Sequence, residues 1–196
     1  MKLKLPLIGV IGLGLAMAGA GAAAEASPRV AIETSMGRIV VELYPDKAPK
    51  TVENFLQYVK DGHYDGTIFH RIIGSFMIQG GGYTESFYQG ELQPKKTRAP
   101  IPLESQNGLT NDKGWLAMAR TAVPDSATSQ FFINTVDNHS LNYPQPDGHG
   151  YAVFGKVVEG MDVVMAIAGV STGSIGPMRD VPQTPVRING VSPVAP

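Results

Sequence analysis

The 196 residues carry 16 lysines and arginines against 17 aspartates and glutamates, a formal net charge of −1, with 43% hydrophobic residues and no cysteine. That length suits one domain with a proper core, while the near-neutral balance, without a cluster of Lys and Arg, excludes the electrostatic footprint of a nucleic-acid binder. The lack of cysteine excludes disulfides and thiol chemistry, so packing must hold the fold.

The chain opens with "MKLKLPLIGVIGLGLAMAGAGAAAEAS", in which Lys2 and Lys4 precede an apolar core from Leu5 to Met17, followed by small residues and an Ala22-Ala23-Ala24 pattern. This reads as a secretory signal peptide over residues 1–24, cut near Ala24 or Ala26. The Gly/Ala-rich distal half argues against an uncleaved anchor. There is no twin arginine, and without cysteine no lipid-bearing N-terminus is possible. Cleavage after Ala24 would remove Lys2 and Lys4 but no acidic residue, leaving the mature chain weakly acidic. The expected product is a soluble, monomeric, periplasmic protein with no membrane contact, its residues 27–196 forming a single domain.

Within that domain, 23 Gly and 15 Pro punctuate short β-branched and aromatic runs, which predicts many strands joined by turns. In chain order, "RVAIET" and "GRIVVELY" read as strands. "APKTVENFLQYVKDGHY" follows as a helix, because Val52, Phe55, Leu56 and Val59 recur at i, i+3, i+4 and i+7. Pro49 suits its first turn, and Gly62 can take the left-handed conformation that ends it. Five more strands read as "TIFHRII", "FMIQGG", "WLAMAR", "QFFINT" and "YAVFGKVV". The segment "GMDVVMAIAGV" then places Met161, Val164, Met165 and Ala168 at helical spacing, with Asp162 near the N-terminal dipole and Gly169 as a stop. "PVRINGVS" is the last strand. A closed antiparallel barrel removes the edges that so many short strands would expose, and the two amphipathic helices are expected to plug its open ends.

Most familiar chemistries lack their residues. None of the four histidines, His63, His70, His139 and His149, pairs with another at helical metal-ligand spacing, and Asp147 with His149 in a Pro/Gly loop falls short of the three or four ligands a metal needs. No G-x-S-x-G elbow occurs, and the hydroxyls of "DSATSQ" suit turn capping. Gly80, Gly81 and Gly82 lack the spacing and following helix of a phosphate-binding loop. No cofactor is implied.

What remains is "TIFHRIIGSFMIQGGG", one arginine, Arg71, on an apolar floor that includes Phe76 and Met77. On its own the stretch is ordinary: "FMI" and "FFI" are core strand sequence, and a strand arginine is usually solvated or paired with a carboxylate. The combination is not. "FHRIIGSFMIQGGG", "AMARTAVPDSATSQFFIN" and "YAVFGKVVEGMDVV" resemble the cyclophilin family of peptidyl-prolyl cis-trans isomerases, as does "GRIVVELYPDKAPKTVENF". The resemblance runs in order from about Arg29 to Val191 and is closest to the bacterial periplasmic type A proteins.

That resemblance implies a mainly β fold, an eight-stranded antiparallel barrel capped by two α-helices, and an enzyme that rotates X-Pro peptide bonds. It implies that Arg71 acts on the prolyl bond. Phe76, Met77, Phe132 and Leu141 would form the proline pocket, Gln79 would bond the substrate or orient Arg71, and Ala119 would line the groove with Gln130. Tyr151 stands where many relatives have a pocket histidine, so it carries over as an aromatic wall only. Gly74-Ser75 replaces a common Pro-Gly, which is expected to loosen the turn before Phe76. Ser140 replaces the Trp of cyclosporin-sensitive members, so weak cyclosporin binding is expected. The partners implied are Pro-containing peptides and unfolded exported proteins. A binding module that uses the same groove without turnover is the alternative. His70, one residue from Arg71 on a strand, should face the opposite side as a core or hydrogen-bonded histidine, Trp115 should pack in the barrel or at its rim, and the loop "NYPQPDGHG" is an elaboration beside the groove.

Overall fold

The computed structural model describes Met1 and residues 27–194; the expected signal peptide lies outside the described residues. Eight strands close into an antiparallel barrel: β1 (Arg29–Thr34), β2 (Gly37–Leu43), β3 (Thr67–Ile73), β4 (Met77–Thr84), β5 (Trp115–Met118), β6 (Phe131–Asn134), β7 (Val153–Glu159) and β10 (Arg187–Val194). Around the barrel the order is β1-β10-β3-β4-β6-β5-β7-β2. These are the eight strands expected from turn punctuation. A further hairpin, β8 (Thr172–Ile175) with β9 (Met178–Pro182), pairs outside the barrel and was not expected.

Strand alternation divides the apolar side chains into two sets. Val30, Ile32, Ile39, Val41, Leu43, Ile78, Leu116, Phe131, Ile133 and Phe154 are buried in the main core. Helix α1 (Pro49–Lys60) and helix α2 (Met161–Ala168) add Val52, Phe55 and Val59, and Val164, Ile167 and Ala168, to that core. Phe55 meets Phe131 edge-on at 5.7 Å and lies 5.2 Å from both Tyr64 and Phe154, so α1 is held by aromatic contacts as well as by buried area. Pro49 is in the first turn of α1, and Gly62, with φ +64°, follows its C-cap.

The strand neighbours of the inward set face outward. Met77, Ala117, Phe132, Leu141 and Val153 form a second buried cluster, with Phe76, Trp115, Ala119 and Tyr151 packed against it. A third cluster, Ile68, Phe87 and Val181 with Tyr83, Tyr88, Leu92, Ile175 and Met178, fastens the β8–β9 hairpin beside β3. Among the described residues no helix is long and apolar enough to cross a membrane.

Candidate functional site

The site is a row across four neighbouring strands. In register, Arg71 of β3 lies opposite Gln79 of β4, Gln79 opposite Phe132 of β6, and Phe132 opposite Ala117 of β5. Because side chains at directly paired positions share a face, this register gathers residues from distant parts of the chain onto the barrel's outer surface. Phe131 and Ile133 turn into the core while Phe132, between them, turns out. Met77 joins from β4, and Leu141 from a one-turn helix at His139–Leu141. Tyr151 is tied to Leu141 by its N–H donating to the Leu141 carbonyl at 3.0 Å.

Together these side chains line a concavity of about 130 Å³ bounded by Arg71, Phe76, Met77, Gln79, Ala119, Arg120, Phe132, Leu141 and Tyr151. A second one of about 160 Å³ adjoins it, sharing Gln79, Ala119 and Arg120 and adding Thr121, Ser126, Thr128 and Gln130. Every pocket residue expected from the sequence lines the first concavity except Gln130, which lines the second. Gln79 Nε2 donates to Gln130 Oε1 at 2.9 Å and ties the two together. The glycine run leaves room for this pair: a Cβ on Gly82 would fall 2.6 Å from the Gln130 side chain.

The turn before Phe76 is held by four hydrogen bonds. Phe76 N–H donates to the Ile73 carbonyl at 2.8 Å, and the Phe76 carbonyl accepts from Thr135 N–H at 3.1 Å and Asn138 Nδ2 at 2.7 Å. Thr135 Oγ1 donates to the Gly74 carbonyl at 2.9 Å. Residue 74 has a physical reason to be glycine here, since a Cβ would sit 2.6 Å from the Ala168 carbonyl oxygen at the end of α2. Whatever entropy the turn gains in the unfolded chain, these bonds oppose loosening in the folded one.

Arg71 is half-buried, and its ion-pair partner among the described residues is Asp180 of β9, Nε to Oδ2 3.6 Å. His70 points away into the third cluster, 4.6 Å from the Tyr83 ring and 6.5 Å from Phe87. Burial, with the Arg71 charge as a lesser cause, lowers its pKa to about 4. Its Nδ1 is buried without a hydrogen-bond partner, and packing makes it a core histidine. Trp115 sits on the outer face, stacked on Tyr44 at 5.5 Å.

Sequence reasoning missed Arg120. Its side chain is 1% exposed, its Nη2 donates to both Asp147 oxygens at 2.8 Å, and its Nε donates to the Gly150 carbonyl at 2.9 Å. The guanidinium lies 4.6 Å from the centre of the Tyr151 ring. Its hydrogen bond, ahead of opposing desolvation, holds the Asp147 carboxyl below the usual carboxylate range. The Asn142–Gly150 loop thus has a structural purpose: it delivers Asp147 and the Gly150 carbonyl to an arginine that backs the aromatic wall. No local signal marks this pair, because its members lie on separate segments of the chain. Among the described residues, no group of three or more His, Cys, Asp or Glu side chains is placed to hold a metal ion.

Among the described residues the site therefore offers Arg71 as its accessible cation, Arg120 being buried behind the wall, beside an apolar cup with no hydroxyl hydrogen-bonded to a histidine. The family model for cyclophilin-type peptidyl-prolyl cis-trans isomerases matches residues 29–192. Over 161 residues the chain is 60% identical to a peptidyl-prolyl cis-trans isomerase, cyp18, of Streptomyces antibioticus, covering 81% of this chain and 94% of that one. Over 165 residues it is 52% identical to peptidyl-prolyl cis-trans isomerase B of Escherichia coli, covering 83% and 98%. The crystal structure of a Cryptosporidium parvum cyclophilin-type isomerase, determined in the presence of the dipeptide Ala-Pro, superposes with a TM-score of 0.72 at 27% identity over 86% of this chain and 99% of that one. Since the family match reaches every strand of the barrel, ending within β10, and the relatives match at this identity over nearly their whole length, the chain belongs to the cyclophilin family of peptidyl-prolyl cis-trans isomerases.

Proposed function

We propose that the isomerase acts on exported proteins in the periplasm, with Arg71 as the catalytic residue and Phe76, Met77, Phe132 and Leu141 as the seat of the proline ring. The observation that carries the site assignment is the cross-strand row itself, which sets one guanidinium beside an apolar cup open to solvent. Export is supported by the leader-like first 24 residues, and an exported isomerase meets chains whose slow prolyl bonds can limit folding. The Ala-Pro present with the Cryptosporidium relative is a minimal version of the substrate class proposed here.

Amide resonance sets a rotational barrier of about 18–20 kcal/mol. No bond breaks on rotation, so neither nucleophile nor base is required. As the amide twists, the prolyl nitrogen becomes pyramidal and regains a lone pair, to which Arg71 donates a hydrogen bond that the planar ground state cannot accept. That interaction favours the transition state selectively. A rate gain on the order of 10⁵ needs about 7 kcal/mol, of which one preorganised charge-assisted donor supplies about 3–4. Seating the ring against Phe132 and Leu141 while the acyl side turns contributes the remainder through orientation. The adjoining concavity, lined by Thr121, Ser126, Thr128 and Gln130, suits residues of the same peptide ahead of the proline.

The test is NMR exchange of a short Ala-Pro peptide with wild type and Arg71→Ala at equal concentration. Wild type should accelerate exchange by orders of magnitude, and the variant should lose about 10²–10³-fold, the usual cost of removing one transition-state donor. Variant activity within about threefold of wild type would remove Arg71 from its role. Peptide binding without acceleration by either protein would make the groove a recognition site instead.

A further inference from the structure

Two β-bulges converge on the Arg71 guanidinium. On β3, Phe69 pairs with Gly80 and Arg71 with the adjacent Gln79, which leaves His70 as an extra residue immediately before the arginine. On the external hairpin, Val181 pairs with Gly173 and Arg179 with Ser174, which leaves Asp180 as the extra residue of β9. Bulges recur beside active sites because they re-aim a side chain that regular pairing would point elsewhere.

Asp180 is also the one non-glycine residue with positive φ among the described residues, at 60°, a conformation that Asp and Asn enter more readily than most side chains but still sparsely. The purpose of this conformation is not stability. Arg71 and Asp180 are each 40% exposed, and ion pairs that open to water add little to folding. What the bulge accomplishes is directional: it brings Asp180 Oδ2 to 3.6 Å from Arg71 Nε. Contact at the Nε edge leaves the Nη donors free, since a guanidinium has five N–H groups in a fixed plane. The hairpin is rigid enough to serve. Val181, next to Asp180, is 1% exposed in the third cluster, and the Tyr88 hydroxyl donates to the Pro182 carbonyl at 2.7 Å.

We infer that Asp180 is a positioning residue for the isomerisation: its carboxylate, aimed by the β9 bulge, holds the Nε edge of Arg71 so that the Nη donors stay turned to the pocket. The inference rests on Arg71 being the transition-state donor. The carboxylate neither touches the substrate nor moves a proton; it narrows the arcs through which a long, half-exposed side chain swings. Loss of alignment lowers the chemical step while leaving the proline cup intact, because Phe76, Phe132 and Leu141 are on other elements.

The experiment is a double-mutant cycle between Arg71→Ala and two substitutions at Asp180, with kcat and KM read from NMR exchange of an Ala-Pro peptide. Asn and Gly both accept the left-handed backbone conformation of this position, so Asp180→Asn and Asp180→Gly keep the bulge while removing the charge or the whole side chain. In the wild-type background each should lower kcat about five- to tenfold with KM within about twofold, and in the Arg71→Ala background neither should change the residual rate. The Arg71 Nε–H resonance should broaden or shift in Asp180→Asn at unchanged melting temperature. Unchanged or raised kcat in both Asp180 variants, while Arg71→Ala is crippled, overturns the positioning role and leaves the Arg71 reading standing. A loss that persists equally in the Arg71→Ala background also overturns it, because Asp180 would then act independently of the arginine. An active Arg71→Ala protein would instead strike at the reading of Arg71 itself.

Discussion

Acidification should destabilise this protein through His70. The ring is 2% exposed, packed against Tyr83 and Phe87 on one side of β3, and burial lowers its pKa from 6.5 to about 4. The unfolded chain therefore takes up a proton as pH falls through 6.5, and the folded protein does so only near 4. The histidine's contribution is present in full above pH 6.5, is lost progressively below it, and is gone below pH 4. At about 1.36 kcal/mol per pH unit, the whole window amounts to about 3 kcal/mol, of which about 2 kcal/mol is lost by pH 5. Arg71, the second cause of the lowered pKa, adds repulsion once the ring is charged. The assay is urea unfolding at pH 7 and pH 5 for wild type and His70→Leu, followed by the fluorescence of the single tryptophan, Trp115. The drop between the two pH values should be about 2 kcal/mol larger in wild type than in the variant. Other groups, including His63, whose pKa burial also lowers, titrate in both proteins and cancel in the comparison. A difference under about 0.5 kcal/mol would show that His70 finds a proton-accepting partner or water, and would refute the argument from burial.

Two more outcomes follow from the pocket wall. Arg120→Met keeps apolar bulk but leaves the buried Gly150 carbonyl without the donor now 2.9 Å away, at a cost of about 1–3 kcal/mol. Calorimetry should show a melting temperature lower by roughly 3–10 °C, with KM for the Ala-Pro peptide raised several-fold as Tyr151 loses its backing; an unchanged melting temperature would contradict it. Ser140 is exposed where cyclosporin-sensitive relatives are expected to carry Trp, so calorimetric titration should give weak cyclosporin binding that Ser140→Trp tightens, and a submicromolar dissociation constant for wild type would refute this.

Much of the architecture was legible in the sequence because it is written in local periodicity. Short β-branched and aromatic runs between Gly and Pro turns mark the strands, and the Val52, Phe55, Leu56, Val59 stripe marks α1 and its buried face. The pocket residues were reached differently. "FMI" and "FFI" are indistinguishable from core strands by pattern, because the outer face here is apolar too; only several motifs in order singled out Phe76, Met77 and Phe132. The β8–β9 hairpin escaped notice because "TGSIGPMRDVP" is rich in Gly, Pro and polar residues and shows no sustained alternation; it forms against the Ile68 and Phe87 surface that the rest of the fold supplies.

By itself, then, the sequence determined where eight strands and two helices run, which face of α1 is apolar, and that one arginine stands among apolar residues without a nucleophile motif. Those properties depend on neighbours two to seven positions away, within reach of backbone geometry alone. The tertiary structure decided what surrounds that arginine: the register that sets Arg71, Gln79 and Phe132 in one row, the loop that brings Asp147 to Arg120, and the bulge that turns Asp180 toward Arg71. Arg71 and Asp180 belong to opposite halves of the chain. A contact over such a separation leaves no period in the sequence, and exists only because barrel closure and hairpin packing bring the two segments together.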